Sequence, residues 1–146
     1  MLELEGKTAL VFGVASEDSI AWAICQRLAE AGCNLILGFQ PRYRSRLFQL
    51  KDQLTAIEAF YPCDVASDEQ TKEFFDEWQK ESPGAKADIL VHAIGFAPRD
   101  TFDRHMLFNE MDSIDLAMRV SAHSLQRLMR HAVPYLNPNS STITLT

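Results

Sequence analysis

The stretch GVASEDSIAWA, residues 13–23, puts a glycine, a small residue and a serine where an apolar run gives way to a helical pattern. A junction of that kind can hold an anion. Glycine allows a tight reversal, a small side chain leaves the backbone approachable, and the free N–H groups of a helix start face negative charge. Gly13 supplies the reversal and Ala15 the small side chain. Ser19 can cap the helix and offer its hydroxyl to a phosphate oxygen, and Ile20 is expected to start the buried face. Taken alone the signal is weak, because a lone glycine stands where phosphate turns commonly carry three, and ordinary junctions also pair glycine with serine.

Other strand ends carry matching chemistry. In an open parallel sheet a nucleotide lies across the carboxyl ends of the strands. Gln40 can hydrogen-bond a ribose or an adenine edge, Asp64 can accept from an adenine amino group with Val65 beside it, and Gly95 lets backbone approach a sugar after Ala93 and Ile94. Each has a plain reading too: Asp64 equally begins a turn, and Gly95 equally ends a strand. Their occurrence at four successive strand ends makes the combined argument stronger than any one of them.

The elements that must position these residues alternate along the chain. Apolar runs at 7–12, 34–39, 56–62, 87–93 and 141–146 predict strands. Between them, 19–31 predicts a helix with Ile20, Ile24 and Leu28 on one face and Gly32 as its stop. Helices also follow at 44–54, from a capping-box pattern of Ser67 with Gln70, and from about Asn109 to about Tyr135. Such alternation predicts an α/β fold, a Rossmann-like doubly wound parallel sheet of strand order 3-2-1-4-5, in one domain over 1–146. The irregular stretch 96–109 is long enough to be a lid or a substrate-side loop.

The bulk properties narrow the class. The 146 residues suffice for one domain, and 47% hydrophobic content fits a folded core. A net charge of −6 argues against nucleic acid or an anionic membrane as partner. No apolar run reaches the length of a membrane span, and the acidic start MLELEGK is unlike a signal peptide. Cys25, Cys33 and Cys63 read as reduced thiols, and none of the four histidines has metal-ligand spacing, so no metal is expected.

Together these residues resemble the enoyl-acyl-carrier-protein reductases of bacterial and plastid fatty-acid synthesis, a divergent branch of the short-chain dehydrogenase/reductase family. That branch replaces the glycine-rich turn by a glycine, a serine and a small residue at the spacing of Gly13, Ser19 and Ala21. The segments SIAWAI, CDV at 63–65, ILVHAIGFAP at 89–98, VSAHSL at 120–125 and the final LNPNSSTITLT carry the rest of the likeness.

The resemblance implies reduction of the carbon–carbon double bond of a trans-2-enoyl thioester on acyl carrier protein, with NADH or NADPH. It implies Gly13, Ala15, Ser19 and Ile20 at the pyrophosphate and ribose, Gln40 at the adenosine ribose, and Asp64 and Val65 against adenine. Ala93, Ile94 and Gly95 would run beside the nicotinamide ribose with Val120 nearby, and Gly95, Phe96 and Ala97 would border the acyl pocket. The family's catalytic tyrosine and lysine follow the last strand, and Tyr43, Tyr61 and Tyr135 stand outside that motif, so no catalytic residue is assigned.

The expectation is a cofactor-binding half, truncated after the fifth strand, inactive by itself and prone to self-association. Gln40 carries no charge and neither repels nor attracts a 2′-phosphate, but the resemblance there is to NADH-using members and so implies NADH; Arg42, Arg44 and Arg46 either form a solvated basic loop or reach the 2′-phosphate of NADP. The resemblance further implies a homo-oligomer, a tetramer, in the cytoplasm or a plastid stroma. Two other functions stay open: a non-catalytic nucleotide-binding module, and a short-chain reductase of another substrate.

Overall fold

The computed structural model describes residues 4–145. Five parallel strands form one sheet, ordered β3-β2-β1-β4-β5, the order expected from the alternation. They are β1 (Thr8–Phe12), β2 (Asn34–Phe39), β3 (Ile57–Pro62), β4 (Ala87–His92) and β5 (Leu136–Thr144). The helices are α1 (Ile20–Glu30), α2 (Arg44–Lys51), α3 (Asp68–Glu81), α4 (Met111–Ser121) and α5 (His123–Ala132).

Strand side chains alternate between the two faces, as a period of two demands. Ala9, Val11, Leu35 and Leu37 pack with Trp22, Cys25, Leu47 and Leu50 from α1 and α2. Leu10, Phe12, Ile36 and Leu90 pack on the opposite face with Phe74, Phe75, Trp78 and Leu128 from α3 and α5. Phe12 meets Phe74 at a ring separation of 4.8 Å. Both faces of the central strands are therefore covered, which is why they read as unbroken apolar runs.

The strands also determine where the cleft opens. At the amino ends, Asp88 accepts from the Thr8 N–H, from Lys7 and from Asn137, fastening β1, β4 and the start of β5. Burial pushes its carboxyl pKa up, but these donors outweigh that and hold it below the usual range. The opposite, carboxyl ends carry the loops of interest.

Four expectations change in detail. Ile20 does not start the buried face of α1: it is 67% exposed, and Ala21, Trp22 and Cys25 take the sheet side instead. Ser67 caps α3 by accepting from the Gln70 N–H, but the Gln70 side chain accepts from the Asp64 N–H rather than closing a reciprocal box. The single late helix is two, broken at Ala122, and the following Val133–Tyr135 is a 3₁₀ turn around Pro134. The last strand begins earlier than expected: Ala87 pairs with Leu136 and Ile89 with Ser141, so β5 bulges between them, with Asn139 at φ 65°. Thr146, the end of the expected strand, lies outside the described residues.

Candidate functional site

The carboxyl ends of β1 to β4 surround a cleft of about 300 Å³. Its first wall is the turn after β1, where Gly13, Val14 and Ala15 line the space. Gly13 has φ 120°, and a Cβ there would fall 2.1 Å from the Ala93 carbonyl oxygen. The Ala93 N–H donates to Phe12 at 2.9 Å, so the backbones after β1 and β4 run in close contact at that point. Ser19 caps α1, accepting from the Trp22 N–H while its hydroxyl donates to the Ser16 carbonyl at 2.7 Å. The capping role is thus present, with the hydroxyl proton already engaged inside the loop.

The second and third strand ends supply the polar wall. Gly38, Gln40, Arg42 and Tyr43 line it from β2 and the 3₁₀ turn Pro41–Tyr43 that follows. Cys63, Asp64, Val65 and Ala66 line it from β3. Asp64 Oδ1 accepts from the Ala66 N–H, so Asp64 does form the turn that its alternative reading described while also facing the cleft. The Val65 carbonyl accepts from Arg127 of α5, which ties this loop to the helix layer beneath. Burial pushes the Cys63 thiol up to about 12, against a lowering hydrogen bond with Thr71 and a further rise from Asp64. A thiol held protonated in this way is a packing group rather than a nucleophile.

The far wall is apolar. Ala93, Ile94, Gly95 and Phe96 follow β4, and Leu116 and Val120 reach in from α4. Ser121 clamps the loop, accepting from the Phe96 N–H and donating to the Phe96 carbonyl, both at 2.9 Å. Behind it, His92 contacts Ser124 Oγ at 2.7 Å and Thr144 Oγ1 at 2.9 Å, and the Ser124 hydroxyl donates to the Val120 carbonyl. With its proton committed to Val120, Ser124 can only accept from His92, which assigns the Nε2–H tautomer of a neutral ring. Burial lowers the His92 pKa, favouring that neutral form. The segment VSAHSL thereby acquires a physical reason: one residue lines the cleft, one clamps the β4 loop, and one anchors a buried histidine.

The cleft gathers Gly13, Ala15, Gln40, Asp64, Val65, Ala93, Ile94, Gly95, Phe96 and Val120 from the residues singled out in the sequence. Ser19, Ile20 and Ala97 stand outside its lining. Val14, Gly38, Tyr43, Cys63, Ala66 and Leu116 line it without having been singled out as site residues. Cys63 and Ala66 flank the Asp64–Val65 pair, so position relative to the strand end could have found them; Leu116 carries no such signal, because only the docking of α4 brings it in. Tyr61 donates to Glu81 at 2.6 Å, and Tyr135 stacks on Phe75 at a ring separation of 5.7 Å; neither lines the cleft. Among the described residues no group of three or more His, Cys, Asp or Glu could hold a metal.

A doubly wound parallel sheet with a glycine turn after β1 and a cleft across its carboxyl edge defines the class of dinucleotide-binding folds. Residues 13–146 match the family model described as enoyl-(acyl carrier protein) reductase, and the chain belongs to that family. It is 35% identical over 150 residues to an NADH enoyl-acyl-carrier-protein reductase of Nostoc sp., aligning 100% of this chain with 57% of the relative. An Enterococcus faecalis enzyme of the same description is 34% identical, over 98% of this chain and 56% of its own length. Among solved structures, the Aquifex aeolicus enoyl reductase superposes with a TM-score of 0.89 at 31% identity, covering 98% of this chain and 56% of that one. A Bacillus cereus enoyl reductase solved with NADP+ and indole naphthyridinone gives 0.91 at 34% identity, covering 100% and 57%. The chain thus spans little more than half the length of these relatives.

Proposed function

We propose that this chain forms the nicotinamide-nucleotide half of an enzyme reducing the trans-2 double bond of an enoyl thioester on acyl carrier protein. The cleft across four strand ends, with the Gly13 turn at its centre, carries this reading. The residues present suit such a group: a glycine turn where no Cβ fits, open space beside Gly95, and a polar wall at one end only. A bound nicotinamide cofactor would supply hydride, and NADH is the cofactor in the names of the curated relatives.

In this reading Gly13 and Ala15 hold the pyrophosphate, with Ser19 and Ile20 behind them at the helix start. Gln40 meets the adenosine ribose, and Asp64 and Val65 meet adenine. Ala93, Ile94, Gly95 and Val120 keep the nicotinamide ribose in place, and Gly95, Phe96 and Ala97 border the acyl group. Conjugate reduction builds negative charge on the thioester oxygen, which needs a hydrogen-bond donor. The lining residues with ionisable side chains, Arg42, Tyr43, Cys63 and Asp64, all belong to the β2 and β3 ends.

The expected result is therefore binding without turnover. Nicotinamide fluorescence should report NADH bound to the 146-residue chain, while a crotonyl thioester assay with NADH or NADPH shows no reduction above background. Absence of binding by a folded chain would sink the cofactor reading, and turnover at an enzyme's ordinary rate would sink the division of labour. The apolar character of the Ala93–Phe96 wall favours one second reading, a nucleotide-binding module that does no chemistry.

The chain is read as one domain of a homo-oligomer, a tetramer by family resemblance, in the cytoplasm or a plastid stroma. No described helix is long and apolar enough to cross a membrane. Phe102, Met106, Leu107, Phe108, Met111 and Met118 are exposed along one loop and the helix after it, which supports burial against another subunit. Sedimentation should give a mass above the monomer's 16.5 kDa, and a strictly monomeric chain at high concentration would count against the assembly.

A further inference from the structure

Building on the nicotinamide-nucleotide reading above, we infer that Arg127 is a positioning residue for the adenine end of the cleft. It touches no nucleotide itself; by holding the Val65 carbonyl it sets where the loop of Asp64, Val65 and Ala66 stands. Arg127 is half-buried on α5 and lies outside the cleft lining, whereas those three loop residues all line it.

The loop's other hydrogen bonds give it a shape without fixing its place against the helix layer. The Asp64 N–H donates to Gln70 Oε1 at 3.1 Å, the Ala66 N–H to Asp64 Oδ1 at 3.0 Å and the Ser67 N–H to the Asp64 carbonyl at 2.9 Å. All three close within six residues. The Cys63 N–H donates to the Phe39 carbonyl at 2.7 Å, which fastens the end of β3 before the loop begins. The Arg127 bond spans 62 residues and ties the loop to α5. Val65 is buried, so its carbonyl needs a partner from the protein.

The same helix holds the opposite wall. Ser124, three residues before Arg127 and so its neighbour on the helix surface, donates to the Val120 carbonyl at 2.6 Å and accepts from His92. One turn of α5 therefore grips both walls, and a dinucleotide lying across the cleft needs their spacing held. Arg27, Arg104 and Arg130 each pair with a carboxylate, whereas Arg127 directs its guanidinium at a backbone carbonyl. A charged donor on a carbonyl makes a stronger bond than an amide does. Arg130, on the same flank of α5, reaches Asp68, but both side chains are more than half exposed, so that pair contributes little.

The test compares the whole chain with three variants at this position. R127M keeps an apolar stem and removes every donor, R127Q carries an amide too short to reach the carbonyl, and R127K keeps a charged donor. NADH is titrated by nicotinamide fluorescence, and amide hydrogen exchange is followed by mass spectrometry with and without NADH. R127M and R127Q should weaken NADH by about tenfold, the loss expected for a hydrogen bond to a charged group, and R127K should fall between. Exchange should quicken at residues 64–67 in R127M and R127Q, stay unchanged in β1 and β2, and slow again when NADH is bound. R130A, which removes an equal charge from the same flank, should bind NADH as the wild type does.

Unchanged NADH affinity in folded R127M or R127Q would overturn this inference and leave the cofactor reading standing. So would an equal loss in R130A, which would assign the effect to charge alone, or faster exchange spread evenly over the sheet, which would make Arg127 a residue of general stability. Failure of the folded wild type to bind NADH would instead remove the cofactor reading, and this inference with it. Circular dichroism of each variant separates lost binding from lost fold, and if R127M does not fold, R127Q carries the same comparison.

Discussion

Gly13→Ala is expected to cost about 2–5 kcal/mol of folding stability, combining a left-handed backbone of about 1–2 kcal/mol with overpacking of about 1–3 kcal/mol. The clash is with backbone and has no easy relief. The added Cβ would lie 2.1 Å from the Ala93 carbonyl oxygen and 2.7 Å from its carbon. Moving Ala93 away would strain its hydrogen bond to Phe12, one of the contacts that hold β1 against β4. Domains of this size have a total stability of about 5–15 kcal/mol, so the variant would unfold at a much lower urea concentration or fail to fold.

Gly95→Ala makes the contrasting case. Nothing lies within 4 Å of a Cβ at Gly95, so its stability should stay within about 0.5 kcal/mol of the wild type. Because Gly95 lines the cleft, the new methyl should instead weaken NADH binding. Urea unfolding and a nucleotide titration of both variants separate the two roles. A Gly13→Ala chain as stable as its parent would remove the structural argument for the lone glycine.

Removing the hydroxyl of Ser124 should cost about 1–3 kcal/mol, the desolvation penalty of a buried donor left without its acceptor. His92 and Ser124 are both fully buried, and Ser124 also holds the Val120 carbonyl at the cleft wall. Ser124→Ala should therefore lower nucleotide affinity along with stability.

The same histidine makes stability depend on pH. Burial holds the His92 pKa below its ordinary value, so the native ring stays neutral where the unfolded chain takes up a proton. The unfolded state then binds more protons, and stability is lost as pH falls from about 6.5 toward the depressed native value. For one proton the slope reaches about 1.4 kcal/mol per pH unit. The lowered carboxyl values of Asp68 and Asp88 act only in more acid solution, so unfolding between about pH 7.5 and about pH 5.5 reports mainly on histidine. Urea midpoints across that window should fall for the wild type and flatten for His92→Gln. An equal slope in the variant would assign the effect to other groups.

Much of the architecture was legible along the chain because its signals are local. Buried runs in alternation with helical stretches imply parallel crossovers whatever the details of packing. Ser19 and Ser67 cap α1 and α3 through contacts three residues away, and the turn at Gly32 ends α1 as expected. Strand ends were legible for the same reason, which is why Gln40, Asp64, Val65 and Gly95 stand out in the sequence.

Tertiary structure decided what depends on distant partners. A helical period marks an apolar stripe but leaves its rotation against the sheet open, and Trp22 turned α1 so that Ile20 faces outward. The break at Ala122 lets Ser121 reach Phe96 and Ser124 reach His92, contacts spanning 25 and 32 residues. Leu116 joined the cleft only through the placement of α4.

By itself, then, the sequence determined the order of strands and helices, the caps, and the row of residues at the strand tips, since neighbours a few positions apart produce all of these. Folding alone determined why position 13 must be glycine, which way α1 faces, and that Arg42 and Tyr43 close one end of the cleft. Those outcomes arise from atoms far apart in the chain and close in space, and no local pattern of residues encodes a distance of that kind.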